Sequence, residues 1–137
     1  MMKKQVKARR RSACPLNASV EMLGDRWSLL ILRDMMLRGC KTFKEFLESH
    51  EGIATNILTD RLRRLEEYGI LTTKRDATDG RKTIYVLTAK GIGLAPVLTE
   101  MVLWAAAHEK TGNRALVWLI QKDKEQFLAD IRKRWEA

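Results

Sequence analysis

The stretch from Thr42 to Leu87 constrains this chain more than any other. It runs TFKEFLES, then HEGI, then ATNILTDRLRRLEEYGILTTKRDATDGRKTIYVL. Its first half has the spacing of two short helices joined by a tight turn, and its second half that of a basic β-hairpin. Thr42 and Glu45 stand at capping-box spacing, and Phe43, Phe46 and Leu47 form the inner face of the helix they open. His50 to Ile53 make the turn, with Gly52 at its permissive position. The expected fold is mainly α (α+β): a winged helix–turn–helix with a two-stranded wing and flanking dimerisation helices.

A helix over Thr55 to Tyr68, read at about 100° per residue, places Ile57, Leu58, Leu62, Leu65 and Tyr68 on one arc. Thr55, Asn56, Thr59, Asp60 and Arg63 fall on the opposite arc. Hydrogen-bonding tips near the start of a recognition helix are what reading base edges requires. Thr55, Asn56, Thr59 and Arg63 are therefore the expected base-facing set. Arg61 lies inside the apolar arc, which predicts a half-buried arginine held by a carboxylate.

The hairpin strands are Leu71–Arg75 and Thr83–Leu87, with Asp79-Gly80 as the turn signal. Lys74, Arg75, Arg81 and Lys82 crowd its base and tip, and their mutual repulsion is relieved by phosphate through counterion release. Thr42, Lys44 and Arg64 join them as expected phosphate contacts. A charged hairpin edge also protects a sheet against aggregation, so the charge has a second reading.

Charge points the same way. Across 137 residues, 26 Lys+Arg oppose 17 Asp+Glu, a net +9, which favours polyanions. Residues 1–13 hold Lys3, Lys4, Lys7, Arg9, Arg10 and Arg11 with no acidic residue and read as a disordered basic arm able to track a flanking minor groove. The expected organisation is this arm, a winged domain over 14–110, and a C-terminal amphipathic helix over 111–137 packing at a dimer interface. No apolar run is expected to reach the roughly 20 residues of a bilayer span. With no signal-type segment the chain reads as cytoplasmic, and two cysteines without CxxC spacing argue against zinc and disulfide scaffolds.

Order is expected from Cys14-Pro15, with a short helix ending at Gly24. An apolar central helix follows from Asp25 to Gly39. Beyond the wing, one helix from Thr88 to Glu109 kinked at Pro96, and one from Arg114 to Trp135, are expected. These late helices carry more apolar surface than a small winged domain covers. A two-fold dimer buries such a face, and it matches a palindromic operator.

Several of these segments together resemble the HxlR-type winged helix–turn–helix regulators. They are Cys14-Pro15, the corner Leu23-Gly24-Asp25-Arg26-Trp27, the helix LLILRDMM, Phe43-Lys44-Glu45-Phe46, and the run LTDRLRRLEEYGIL. The hairpin DGRKTIYVLTAKG, Pro96-Val97-Leu98 and Trp104 continue the similarity, over roughly residues 14 to 110. The resemblance implies a homodimeric, bacterial-type transcription factor binding double-stranded DNA, with first and late helices at the dimer interface. Leu16, Val20, Val97, Met101 and Trp104 are the residues this points to. Where members often carry Ser-Pro and a basic residue, this chain has Ala54, Thr55 and Asn56.

Cys14 has two readings. Near a helix N-terminus and close to Arg9, Arg10 and Arg11, its thiolate is favoured, and the resemblance implies a sensor of oxidants or electrophiles there. The other reading is a small buried interface residue. Cys40 is a candidate resolving partner.

Enzyme chemistry finds no support. His50 and His108 are isolated, no serine has a motif-placed histidine, and there is no phosphate-binding glycine loop. No cofactor or metal is implied, the acidic residues of the last helix argue against a membrane partner, and no effector ligand is identified. The expected function is a dimeric, sequence-specific transcriptional regulator, a repressor before an activator. Two alternatives stand beside it: a nonspecific architectural nucleic-acid binder, and a protein-interaction module on a degenerate winged fold.

Overall fold

Caps written into the sequence decide where most of the helices start. In the computed structural model, which describes residues 12–49 and 51–136, they run α1 (Pro15–Leu23), α2 (Arg26–Arg38), α3 (Phe43–Leu47) and α4 (Thr55–Glu67). Strands β1 (Leu71–Arg75) and β2 (Thr83–Leu87) follow, then α5 (Ala89–Ile92), α6 (Ala95–His108), α7 (Arg114–Lys122) and α8 (Lys124–Trp135). Pro15 takes the first turn of α1, and the Asp25 carboxylate caps α2 by accepting from the amides of Trp27 and Ser28. Thr42 and Glu45 form the full capping box on α3. Each satisfies amides that a helix start leaves open.

The strands pair antiparallel with Leu71 opposite Leu87 and Arg75 opposite Thr83. The Tyr85 amide donates to the Lys41 carbonyl at 2.8 Å, and the Tyr85 ring meets Phe46 edge-on, so the wing is anchored to α3. Gly52 adopts φ +68° in the turn between α3 and α4, the left-handed conformation expected of it. Gly91 serves differently: a Cβ there would lie 2.1 Å from the Ile70 carbonyl oxygen, so only glycine lets α5 pack on the end of the α4–β1 link.

Leu32 and Met35 of α2, with Leu58 and Leu65 of α4, are wholly buried and form the middle of the core. Phe46, Ile70, Leu71 and Leu87 close it on the α3 and wing side. This is the expected fold: mostly helical, with a two-stranded wing following the helix–turn–helix.

Three expectations need correcting. The Thr88–Glu109 segment is two helices, because the chain turns at Gly93 and Leu94. Pro96 therefore sits in the first turn of α6, where its missing amide costs nothing, and does not kink a helix interior. The segment after Asn113 is also two helices, divided at Asp123, whose carboxylate caps α8 through the Gln126 amide. The apolar side of α8 packs on its own domain: Ile131 is buried, Phe127, Leu128 and Trp135 join the core, and Arg134 donates to the Met36 carbonyl. Finally, Ala89–His108 does have the length and composition of a bilayer span. The break at Gly93 leaves a 14-residue α6, short of the roughly 20 residues a spanning helix needs.

The basic arm of residues 1–13 lies almost wholly outside the described residues, as does His50.

Candidate nucleic-acid interface

The recognition helix is positioned by what lies behind it. Leu58, Leu62 and Leu65 recur at helical spacing and are at most 2% exposed, which fixes the rotation of α4. Thr55, Asn56, Thr59 and Arg63 consequently face solvent. Arg61 behaves as its position in the apolar arc predicts. Its Nε donates to Asp25 at 3.0 Å and its Nη1 to Asp60, with one fifth of the side chain exposed.

Asp25 thus holds two elements at once. One oxygen accepts from the Trp27 and Ser28 amides and from Arg61, and the other accepts from the Ser28 hydroxyl at 2.6 Å. Burial pushes this carboxyl up, but the Ser28 hydrogen bonds and Arg61 outweigh it, and the net shift is downward. Arg61 is raised, chiefly by its bond to Asp25. The clasp ties the start of α2 to the middle of α4.

A second network supports the turn. Glu51 accepts from Arg33 at 2.9 Å and Arg26 at 3.1 Å, and Arg33 also forks onto the buried carboxylate of Asp34. Hydrogen bonding from Arg33 is the largest cause holding the Glu51 carboxyl below its ordinary range. The sequence reading missed both the clasp's anchor and buried Asp34. The Leu23–Trp27 corner was visible, but not that Asp25 would meet residues 36 positions away.

Several of the expected contact residues have local partners. Arg63 bridges Asp60 at 2.8 Å and Glu67 at 2.7 Å along its own helix, and must leave them to reach a base. The Thr59 hydroxyl donates to the Thr55 carbonyl. The Thr42 hydroxyl is occupied in the capping box as both donor and acceptor. Lys44 is exposed, with Glu48 at 3.9 Å, and Arg64 is half-buried. Ala54 supplies no side-chain cap, so the first amides of α4 stay open to an anion.

On the wing, Lys74, Arg75, Arg81 and Lys82 are all exposed, Arg81 to 93%. Asp79 organises the tip: its carbonyl accepts from the Lys82 amide and its carboxylate from the Arg81 amide, closing the turn around Gly80. Arg75 donates to the Gly80 carbonyl at 2.7 Å. The hairpin therefore holds its cations outward on a hydrogen-bonded loop.

Elsewhere, Leu16, Val20, Val97, Met101 and Trp104 are all exposed, at 48% to 72%. Cys14 is exposed at the N-cap of α1, and its side chain makes no cap bond. Cys40 is buried, and burial, Asp34 and Glu45 push its thiol up, which makes it a poor nucleophile.

A helix–turn–helix sequence model described as HxlR-like matches residues 22–113. The chain belongs to the HxlR-like helix–turn–helix family. Among its HxlR relatives, the HTH-type transcriptional regulator YodB of Bacillus subtilis is 37% identical over 101 residues, 73% of this chain and 89% of YodB. The uncharacterized HTH-type regulator sll1512 of Synechocystis is 35% identical over 88 residues; that match spans 64% of each protein, just under two thirds of sll1512. Solved structures agree. Reduced YodB superposes with TM-score 0.59 at 35% identity, covering 74% of this chain and all of YodB. The redox regulator HypR in its oxidized form gives 0.62 at 28% identity, covering 72% of this chain and all of HypR. This HxlR-family chain is a transcriptional regulator of the YodB type with a DNA-binding helix–turn–helix. Its α7 and α8 lie beyond the matched region.

Proposed function

We propose that this regulator acts as a homodimer on a palindromic operator in the bacterial cytoplasm, as a repressor that occludes its promoter. One observation carries the reading: α4 turns Thr55, Asn56, Thr59 and Arg63 outward beside a wing of four exposed cations. In this arrangement Asn56, Thr59 and a released Arg63 read base edges, with Thr55 at the groove-facing start of the helix. The wing, Lys44 and Arg64 hold phosphate. Thr42, its hydroxyl capping α3, contributes through the backbone at that helix start. Leu16, Val20, Val97, Met101 and Trp104 form the dimer contact.

Cys14 is the proposed sensor of oxidants or electrophiles. It is exposed whereas Cys40 is buried with a raised pKa, so reagents meet Cys14 first. YodB has been solved in reduced, diamide-treated and quinone-bound forms, and HypR in oxidized and reduced forms, which supports thiol chemistry as a signal in this family.

Selection of genomic fragments by the purified protein, reduced and mildly oxidised, tests these proposals. A palindromic motif is expected, recovered differently in the two states, with Cys14→Ser erasing the difference but retaining binding. Recovery without a motif would make the protein an architectural binder. An oxidant response surviving in Cys14→Ser would remove that cysteine as the sensor.

A further inference from the structure

Between α2, α6, α7 and α8 lies a cavity of about 160 Å³ that DNA binding does not use. Its walls include Met36 and Leu37 of α2, Leu98 and Thr99 of α6, Ile120 of α7 and Phe127 of α8. Two of the four walls come from helices beyond the family-matched region, so the cavity depends on this chain's own extension.

Three observations define what would fit. A space of roughly this size walled by aliphatic and aromatic groups offers water few partners and accommodates a benzene-sized molecule. Thr99 lines the space, and its hydroxyl, which makes no hydrogen bond among the described residues, is the one uncommitted polar side-chain group of the lining. A hydroxyl that opens into an otherwise apolar space can give a ligand there one polar contact. Arg33, the one charged residue of the lining, already has its guanidinium engaged by Asp34 and Glu51 at 2.9 Å. No free charge is left for an anion.

We propose that this cavity binds a small, neutral, monocyclic aromatic compound bearing one hydroxyl or carbonyl, with Thr99 making its polar contact. Met101 lines the cavity and is also half exposed on the apolar face of α6, while α2 packs directly on α4. Occupancy that favours one setting of α6 against α2 therefore reaches both the dimer face and the groove helix. This coupling rests on the proposed regulatory function; the binding site does not.

Calorimetry and thermal unfolding of the full chain with phenol, toluene and benzoate test the site without DNA. Phenol and toluene are expected to bind and raise Tm, and benzoate to bind at least about tenfold more weakly than phenol. Thr99→Val, which keeps the shape, is expected to weaken phenol roughly fivefold and leave toluene unchanged. Ile120→Phe should fill the space and abolish both; if that variant does not fold, the Thr99→Val contrast stands alone. No binding of phenol or toluene to the folded protein at millimolar concentration overturns the site. Equal responses of the two ligands to Thr99→Val overturn the role of Thr99. Saturating phenol that leaves operator affinity unchanged overturns the effector role, a result distinct from a failure to bind operator at all.

Discussion

The helix–turn–helix with its wing and the α1/α6 pair divide their apolar residues in opposite ways. Along α4 the apolar arc is buried and the outward arc is polar. Helix α1 buries only Leu23, and α6 only Ala95 and Thr99. Leu16, Val20, Val97, Met101 and Trp104 are left in solvent. The first region is complete within one chain. Exposed apolar side chains on both helices fit the proposed contact with a second copy. The contrast separates stability from assembly: substitutions in the buried arc of α4 should act on folding, and those of the exposed apolar residues on α1 and α6 on association.

The largest effect should come from Leu65→Ala. The residue is fully buried, so the variant should lose about 2–5 kcal/mol in denaturant unfolding. A loss under 1 kcal/mol would mean that α4 does not hold the core as described. Trp104→Asp should do the reverse, leaving the protomer folded and weakening dimerisation by roughly 30-fold or more in sedimentation. A normal dimer with that substitution would place the interface elsewhere.

The clasp between α2 and α4 comes next. Arg61→Met should cost about 1–3 kcal/mol, since it leaves part-buried Asp25 without its cation. Asp25 also sets a pH dependence. Its folded pKa lies below the ordinary 3.8, so between the two values the unfolded chain binds more protons. The stabilisation is present above the ordinary value and disappears as pH falls through the folded one. Unfolding measured from pH 6 to 2 should show this acid limb in the wild type and a shallower one in Asp25→Asn. Identical profiles would dismiss the carboxylate as the cause.

The smallest effect belongs to the exposed cations. Arg81→Ala should lower the salt slope of DNA binding by about one and weaken all sequences alike, whereas Arg63→Ala should relax operator choice. Equal losses on specific and random DNA in both variants would end that division between helix and wing.

Much of the DNA-binding half was legible because its signals are local. Thr42 and Glu45 lie three residues apart, so the capping box forms within one helical turn. The arc holding Leu58, Leu62 and Leu65 follows from helical periodicity, and the burial of Arg61 follows from its place in that arc. The intrahelical partners of Arg63, Asp60 and Glu67, lie at spacings of three and four and are equally local. The late helices were harder. Gly93 and Asp123 lie inside segments whose periodicity reads as one helix each, yet each divides its segment into two. A break there costs little locally, and packing on the core decides it.

The sequence by itself determined the starts of α1 to α4, the two strands of the wing, the polar face of α4, and membership of the HxlR type. Caps, turns and periodicity act over a few residues and leave little choice. Only the tertiary structure decided that Asp25 meets Arg61, that α8 returns to place Arg134 on the Met36 carbonyl, and that Thr99 lines a cavity. Those outcomes depend on which of several apolar faces meet. Faces of similar composition are near-equivalent in one dimension, and only close packing in three tells them apart.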